Sequence, residues 1–191
     1  GVPVAASTEY DFHDDKIAYV TMGGASLSQA DYVVIGFHGR GGNDDRMFDN
    51  LEATFGDDAN VTYLAPACAD GEWFDDWIVP PDNANLLESL ASIDALIASL
   101  AADGIAASKI VLAGHSQGST LVAEYVARGH TGFHNVVLMS APYNGIELGA
   151  SEQNQIYSKN RNNQRVRLTV HKFDPKFDVN AIERTRVFFE A

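Results

Sequence analysis

Two glycines bracket a serine in Gly114-His115-Ser116-Gln117-Gly118, after the apolar run 109–113 and ahead of a helical pattern. Strand, G-x-S-x-G and helix in that order is how a chain presents a serine hydroxyl as a nucleophile. Gly114 and Gly118 leave room where the backbone turns sharply and the helix packs on the strand. Ser116 is thereby pushed out at the carboxyl end of a sheet, where open parallel sheets keep their sites. The amide of Gln117, at a helix N-terminus, is placed to stabilise a developing oxyanion. Such a serine also needs an imidazole to take its proton, and usually a carboxylate to hold the imidazole.

A second loop, Gly36-Phe37-His38-Gly39-Arg40-Gly41-Gly42, follows another apolar run. Its glycines let backbone amides face inward near the end of the sheet, with the Arg40 amide as the second oxyanion donor. His38 in this loop reads as a brace for the turn rather than a base. His115 precedes Ser116 on the strand and is expected to point away from it by alternation. Acidic pairs such as Asp44 with Asp45 read as solvated helix-start charges, not ligands. No metal cluster and no cofactor motif is recognised.

These residues must be carried by regular elements. Residues 31–39, 60–67, 109–116, 135–142 and 165–173 are rich in Val, Ile and Leu and barely alternate, as buried parallel strands do. Residues 10–23 read as an edge strand or hairpin ahead of them. Between the strands lie helices. One has Leu86, Leu87, Leu90, Ile93, Ile97 and Leu100 on one face, Asn85 and Glu88 as a capping box, and Gly104 as a stop. Another runs from about 116 to 128 and ends at Gly129. A third covers about 44 to 55, with Met47, Phe48, Leu51 and Phe55 inward. The alternation predicts one α/β domain over 1–191, a mostly parallel sheet with helices on both faces. Residues 145–164 are polar and aperiodic and read as a long excursion.

The composition bounds the partners. The chain has 191 residues and a formal net charge of −13, which argues against nucleic acid or an anionic membrane. The charge is uneven: residues 1–150 hold 5 Lys/Arg and 21 Asp/Glu, residues 151–191 hold 8 and 5. No apolar run approaches the roughly 20 residues of a membrane span. The first ten residues lack a basic region followed by an apolar one, and Cys68 is the only cysteine. No secretory leader and no internal disulfide are therefore expected, and the cytoplasm is the favoured compartment.

The set "HGRGG", "YLAPACADGEWFDDW" and "GHSQG" resembles the phospholipase/carboxylesterase family of α/β-hydrolases, the group that includes acyl-protein thioesterases. The match runs from about residue 31 to the end. The resemblance implies a cofactor-free esterase or thioesterase acting on acyl esters, with Arg40 lending an oxyanion amide and Trp73 and Phe74 lining the substrate cleft. It also places the triad acid on Asp174, in "LTVHKFDPKFD", with Asp178 as fallback; His171 reads as a strand residue. A cleft built from Trp73, Phe74, Leu86 and Leu87 would be apolar, without a cationic subsite beyond Arg40. Uncharged acyl chains of short to medium length are then the expected substrates.

The family's base follows one more helix and strand. Here Asn180 and Glu183 begin that helix, and no histidine lies beyond position 171. Three readings follow: a fragment lacking its final strand and histidine, a base supplied by His13, His38 or another chain, or an inactive relative that binds acyl ligands or a partner. With the final strand absent, 165–173 becomes an edge that invites a second copy or a separate C-terminal piece. Arg165, Arg167 and Lys172 would oppose such pairing.

Overall fold

The computed structural model describes residues 8–11, 16–56, 58–75, 80, 82–139 and 165–169, the first and last of these segments as backbone. Its strands are β1 (Thr8–Asp11), β2 (Ile17–Gly24), β3 (Tyr32–Phe37), β4 (Val61–Cys68), β5 (Ile110–His115), β6 (Asn135–Met139) and β7 (Arg165–Thr169). Its helices are α1 (Asp44–Phe55), α2 (Ala84–Ala102) and α3 (Gln117–Ala127). One seven-stranded sheet runs in the order β1-β2-β4-β3-β5-β6-β7. β1, β2 and β4 pair antiparallel, and the pairs from β4 through β3, β5 and β6 to β7 are parallel. The expected hairpin ahead of a mostly parallel sheet is what forms. Among the described residues the sheet ends at β7.

Strand alternation divides the apolar residues between two cores. Val33, Ile35, Phe37, Ile110, Leu112, Val136 and Leu138 pack with α2 and α3. Val34, Tyr63, Ala65, Val111, Ala113, Val137 and Met139 pack with Met47 and Leu51 of α1. The helices thus cover both faces, and this is why the central strands read as continuous apolar runs. Each fully buried aliphatic or aromatic side chain contributes roughly 1.5–3 kcal/mol. Every residue of α3 is buried, so the helix behind Ser116 is held from all sides.

The helix ends follow local chemistry, with one correction. Asn83, not Asn85, caps α2, its side chain accepting from Leu86 N at 2.9 Å. Asn85 instead donates to the Asp75 carboxylate at 2.7 Å. Both residues suit a cap by type, and the path of the chain entering the helix selects the earlier one. Asn43 caps α1 in the same way, accepting from Arg46 N. Gly104 and Gly129 follow α2 and α3 at φ +84° and +82°, the left-handed stop expected of them. The 19 residues of α2 are apolar and long enough to cross a membrane by length and composition, contrary to the expectation that no run approaches that length. Its Leu86, Leu90, Ile93, Ile97 and Leu100 are buried in the core.

The strand order reverses direction between β3 and β5. β4 lies on one side of β3 and β5 on the other, so the loops leaving β3 and β5 part there and open a crevice at the carboxyl end of the sheet. The two sequence loops singled out above are these two loops.

Candidate functional site

Ser116 joins β5 to α3 with φ 52° and ψ −120°. It is the only non-glycine residue with positive φ among the described residues. Such a conformation costs of order 1–3 kcal/mol and persists only where its surroundings hold it. Those surroundings are specific. Ser116 N donates to Met139 O at 2.9 Å, tying the turn to the end of β6. Ser119, one turn into α3, is buried and accepts from Met139 N at 2.6 Å, while its hydroxyl lies 2.7 Å from Gly114 O. The flanking glycines are sterically required: a Cβ on Gly114 would lie 2.4 Å from Gly118 O, and one on Gly118 would lie 2.1 Å from Phe37 O.

The loop after β3 passes beside this turn. A Cβ on Gly39 would meet the Ser116 Cβ at 3.1 Å. Gly42 N donates to Gly39 O, and Gly41 N donates to Gly71 O, each at 2.9 Å. The Arg40 side chain reaches across to the loop after β4, its Nε 2.9 Å from Glu72 Oε1 and its Nη2 donating to Asp75 O at 2.8 Å. Residues 39–42 are thus fixed next to Ser116 from two sides.

His38 braces the loop, as its position implied. Its Nδ1 lies 2.9 Å from Gly39 O, and its Nε2 accepts from Cys68 N at 3.2 Å. That pairing is the neutral tautomer with the proton on Nδ1, and it engages the lone pair a base would use. Burial lowers the His38 pKa, against smaller opposing effects of the Gly39 carbonyl and the Asp44 charge.

Trp73 and Phe74 are 0% and 1% exposed, packed in the core, and neither is among the residues lining the cleft beside Ser116. Trp73 Nε1 donates to His38 O at 2.8 Å, and Ser89 Oγ donates to Trp73 O. The Gln117 side chain accepts from Trp73 N at 3.0 Å and donates to Phe74 O at 2.8 Å. These hydrogen bonds pull both aromatics inward, and Leu86 is buried with them. The two residues therefore support the site from behind.

The cleft beside Ser116 has a volume of about 310 Å³. His38, Gly39 and Arg40 line it on one side and His115 and Ser116 on another, while Arg46, Met47 and Asn50 enter from α1. The expectation that His115 turns away fails, because the positive φ of Ser116 breaks the alternation on which it rested. Arg46 and Asn50 carried no recognised signal. Their spacing of four about Met47 places them on one side of α1, but only packing decides which loop that side meets. Asp44 is also corrected: it is 4% exposed and accepts from Tyr19 and Thr21 hydroxyls, whereas Asp45 is exposed. Asp174, Asp178, His13 and His171 lie outside the described residues. Among the described residues no group of three His, Cys, Asp or Glu is placed to hold a metal.

A mostly parallel sheet with this strand order, helices on both faces and a strained serine turn where the order reverses defines an α/β-hydrolase. Residues 25–144 match the phospholipase/carboxylesterase family, and the chain belongs to it. No curated protein sequence matches the chain. Among solved structures, it is similar to a phospholipase/carboxylesterase from Dyadobacter fermentans, with TM-score 0.74 and 21% identity over 95% of this chain and 85% of that one. SOBER1 of Arabidopsis thaliana gives 0.64 and 16% over 83% and 82%. A Bacillus cereus carboxylesterase gives 0.56 and 13% over 90% and 92%. At these identities the likeness is one of fold, and hydrolysis of esters is the activity at the level of the family.

Proposed function

We propose that this protein is a serine hydrolase that cleaves carboxylic esters or thioesters through an acyl-enzyme on Ser116. The observation that carries the reading is the φ of 52° at Ser116, at the strand-to-helix turn where the strand order reverses. A fold with no use for a serine there would relieve the strain with glycine. In this reading the turn is a nucleophile elbow. Ser116 Oγ attacks the carbonyl carbon, and its proton passes to an imidazole and then to the departing alcohol or thiol. Water attacks the acyl-enzyme by the same route and releases the acid. The amides of Gln117, in the first turn of α3, and of Arg40, beside Ser116, hold the oxyanion. Asp174 orients the imidazole. His38 is not that imidazole, because its Nε2 is engaged by Cys68 N.

A fluorophosphonate probe tests the assignment. The wild-type chain is expected to be labelled at Ser116, with Ser116→Ala blocking labelling and lowering esterase activity by several orders of magnitude. Equal labelling of the variant sinks the assignment. A wild-type chain that binds esters but is neither labelled nor active has no working base at Ser116, and labelling and activity of a longer chain that carries the base separate a missing histidine from an inactive binding module on the same scaffold.

A further inference from the structure

Arg46 and Asn50 stand one helical turn apart on α1 and both line the cleft that holds Ser116. The buried Met47 lies between them in sequence. The two cleft arginines differ in their engagement. Arg40 is paired with Glu72 and bound to Asp75 O. The Arg46 side chain is exposed, and no carboxylate among the described residues pairs with it. Arg46 also sits in the first turn of α1, where the helix dipole disfavours a cation, so helix stability does not account for it. An anion in the cleft would meet its guanidinium beside the Asn50 amide. Asp44 in that turn is committed to Tyr19 and Thr21, and Asp45 and Asp49 are not among the residues lining the cleft.

We propose that the cleft takes an ester whose acyl group ends in a carboxylate, with Arg46 forking onto the carboxylate and the Asn50 amide donating a second hydrogen bond. The inference rests on Ser116 as nucleophile and deepens that reading by naming the substrate class. Arg46 is the one cleft guanidinium without a carboxylate partner among the described residues, and a single guanidinium matches a single negative charge better than a dianionic phosphate. The cleft volume of about 310 Å³ is at the small end for ligand sites, which suits a short acyl chain. This replaces the apolar cleft inferred from Trp73 and Phe74, whose rings are turned into the core.

The test uses the Ser116→Ala chain, which does not consume its ligand, titrated by nuclear magnetic resonance with monoethyl glutarate and with neutral diethyl glutarate. The monoester is expected to bind about tenfold more tightly at low salt, with the difference shrinking as salt is added. Adding Arg46→Gln should level the two affinities, and Arg46→Lys should restore part of the preference. Thermal melts check that each variant is folded. Equal affinities in the Ser116→Ala chain, or a preference that survives Arg46→Gln, overturn the inference. Fluorophosphonate labelling of the wild-type chain reports separately on Ser116. A labelled chain without carboxylate preference loses only the anion subsite, and an unlabelled chain that prefers the carboxylate loses only the nucleophile.

Discussion

At Ser116 the backbone holds a conformation that glycine adopts without cost and serine does not. Function and stability therefore oppose each other at one residue. Ser116→Ala removes the hydroxyl and keeps the strain, whereas Ser116→Gly removes both. The glycine variant is expected to be more stable than the alanine variant by about 1 kcal/mol, since relief of 1–3 kcal/mol is partly offset by the freer unfolded chain. Urea unfolding of the pair checks this, and an alanine variant as stable as the glycine one would remove the strain argument. His38 makes a second prediction. Burial holds its pKa below the ordinary 6.5, so as pH falls the unfolded chain takes up the proton first. The contribution is complete above about pH 6.5 and is lost as pH falls from there towards the lowered folded value, with a slope of at most about 1.4 kcal/mol per pH unit. His38→Gln, which keeps an acceptor for Cys68 N, should flatten that part of the stability profile.

At the scale of elements, the site is three loops and a helix start latched together behind the cleft. Gln117 is the latch: its backbone begins α3, and its side chain bonds both the amide and the carbonyl of the 73–74 segment. The segment in turn holds His38 O through Trp73. Gln117→Ala is expected to cost about 2–3 kcal/mol, because it leaves a buried N–H and C=O without partners. It should also slow fluorophosphonate labelling of Ser116, although the backbone amide of residue 117 remains. Unfolding measurements and labelling rates on the same preparation separate the two effects. Unchanged labelling would reduce Gln117's side chain to a purely structural tie.

The molecule as a whole carries a net charge of −13 on 191 residues. Self-repulsion at that charge weighs against the compact state and is screened by salt. Ion pairs among the described residues, such as the partly exposed Arg40–Glu72 and the largely buried Arg128–Glu124, leave that net charge unchanged. The melting temperature is expected to rise by a few degrees as sodium chloride is raised from low to physiological strength. A fall would mean that attractive pairs outweigh the repulsion. The same field repels an anionic substrate at long range, so a carboxylate subsite depends on the local charge of Arg46.

Properties that depend on neighbours in sequence were legible from the chain alone. The strand and helix order followed from apolar periodicity, and the α/β-hydrolase class from the resemblance carried by "HGRGG", "YLAPACADGEWFDDW" and "GHSQG". The left-handed stops at Gly104 and Gly129 were equally local, because only glycine adopts that backbone without strain. The tertiary structure decided which side chains face the cleft. Trp73 and Phe74 looked like cleft residues, but the hydrogen bonds that Trp73 donates to Gln117 and His38, 44 and 35 positions away, hold this segment in the core. Arg46 and Asn50 looked like an ordinary helix surface until α1 packed on the sheet beside Ser116. Asp44 read as a solvated charge until Tyr19 and Thr21, 25 and 23 positions away, supplied its donors. Burial and access depend on contacts between segments remote in sequence, and no local pattern records which segments will meet.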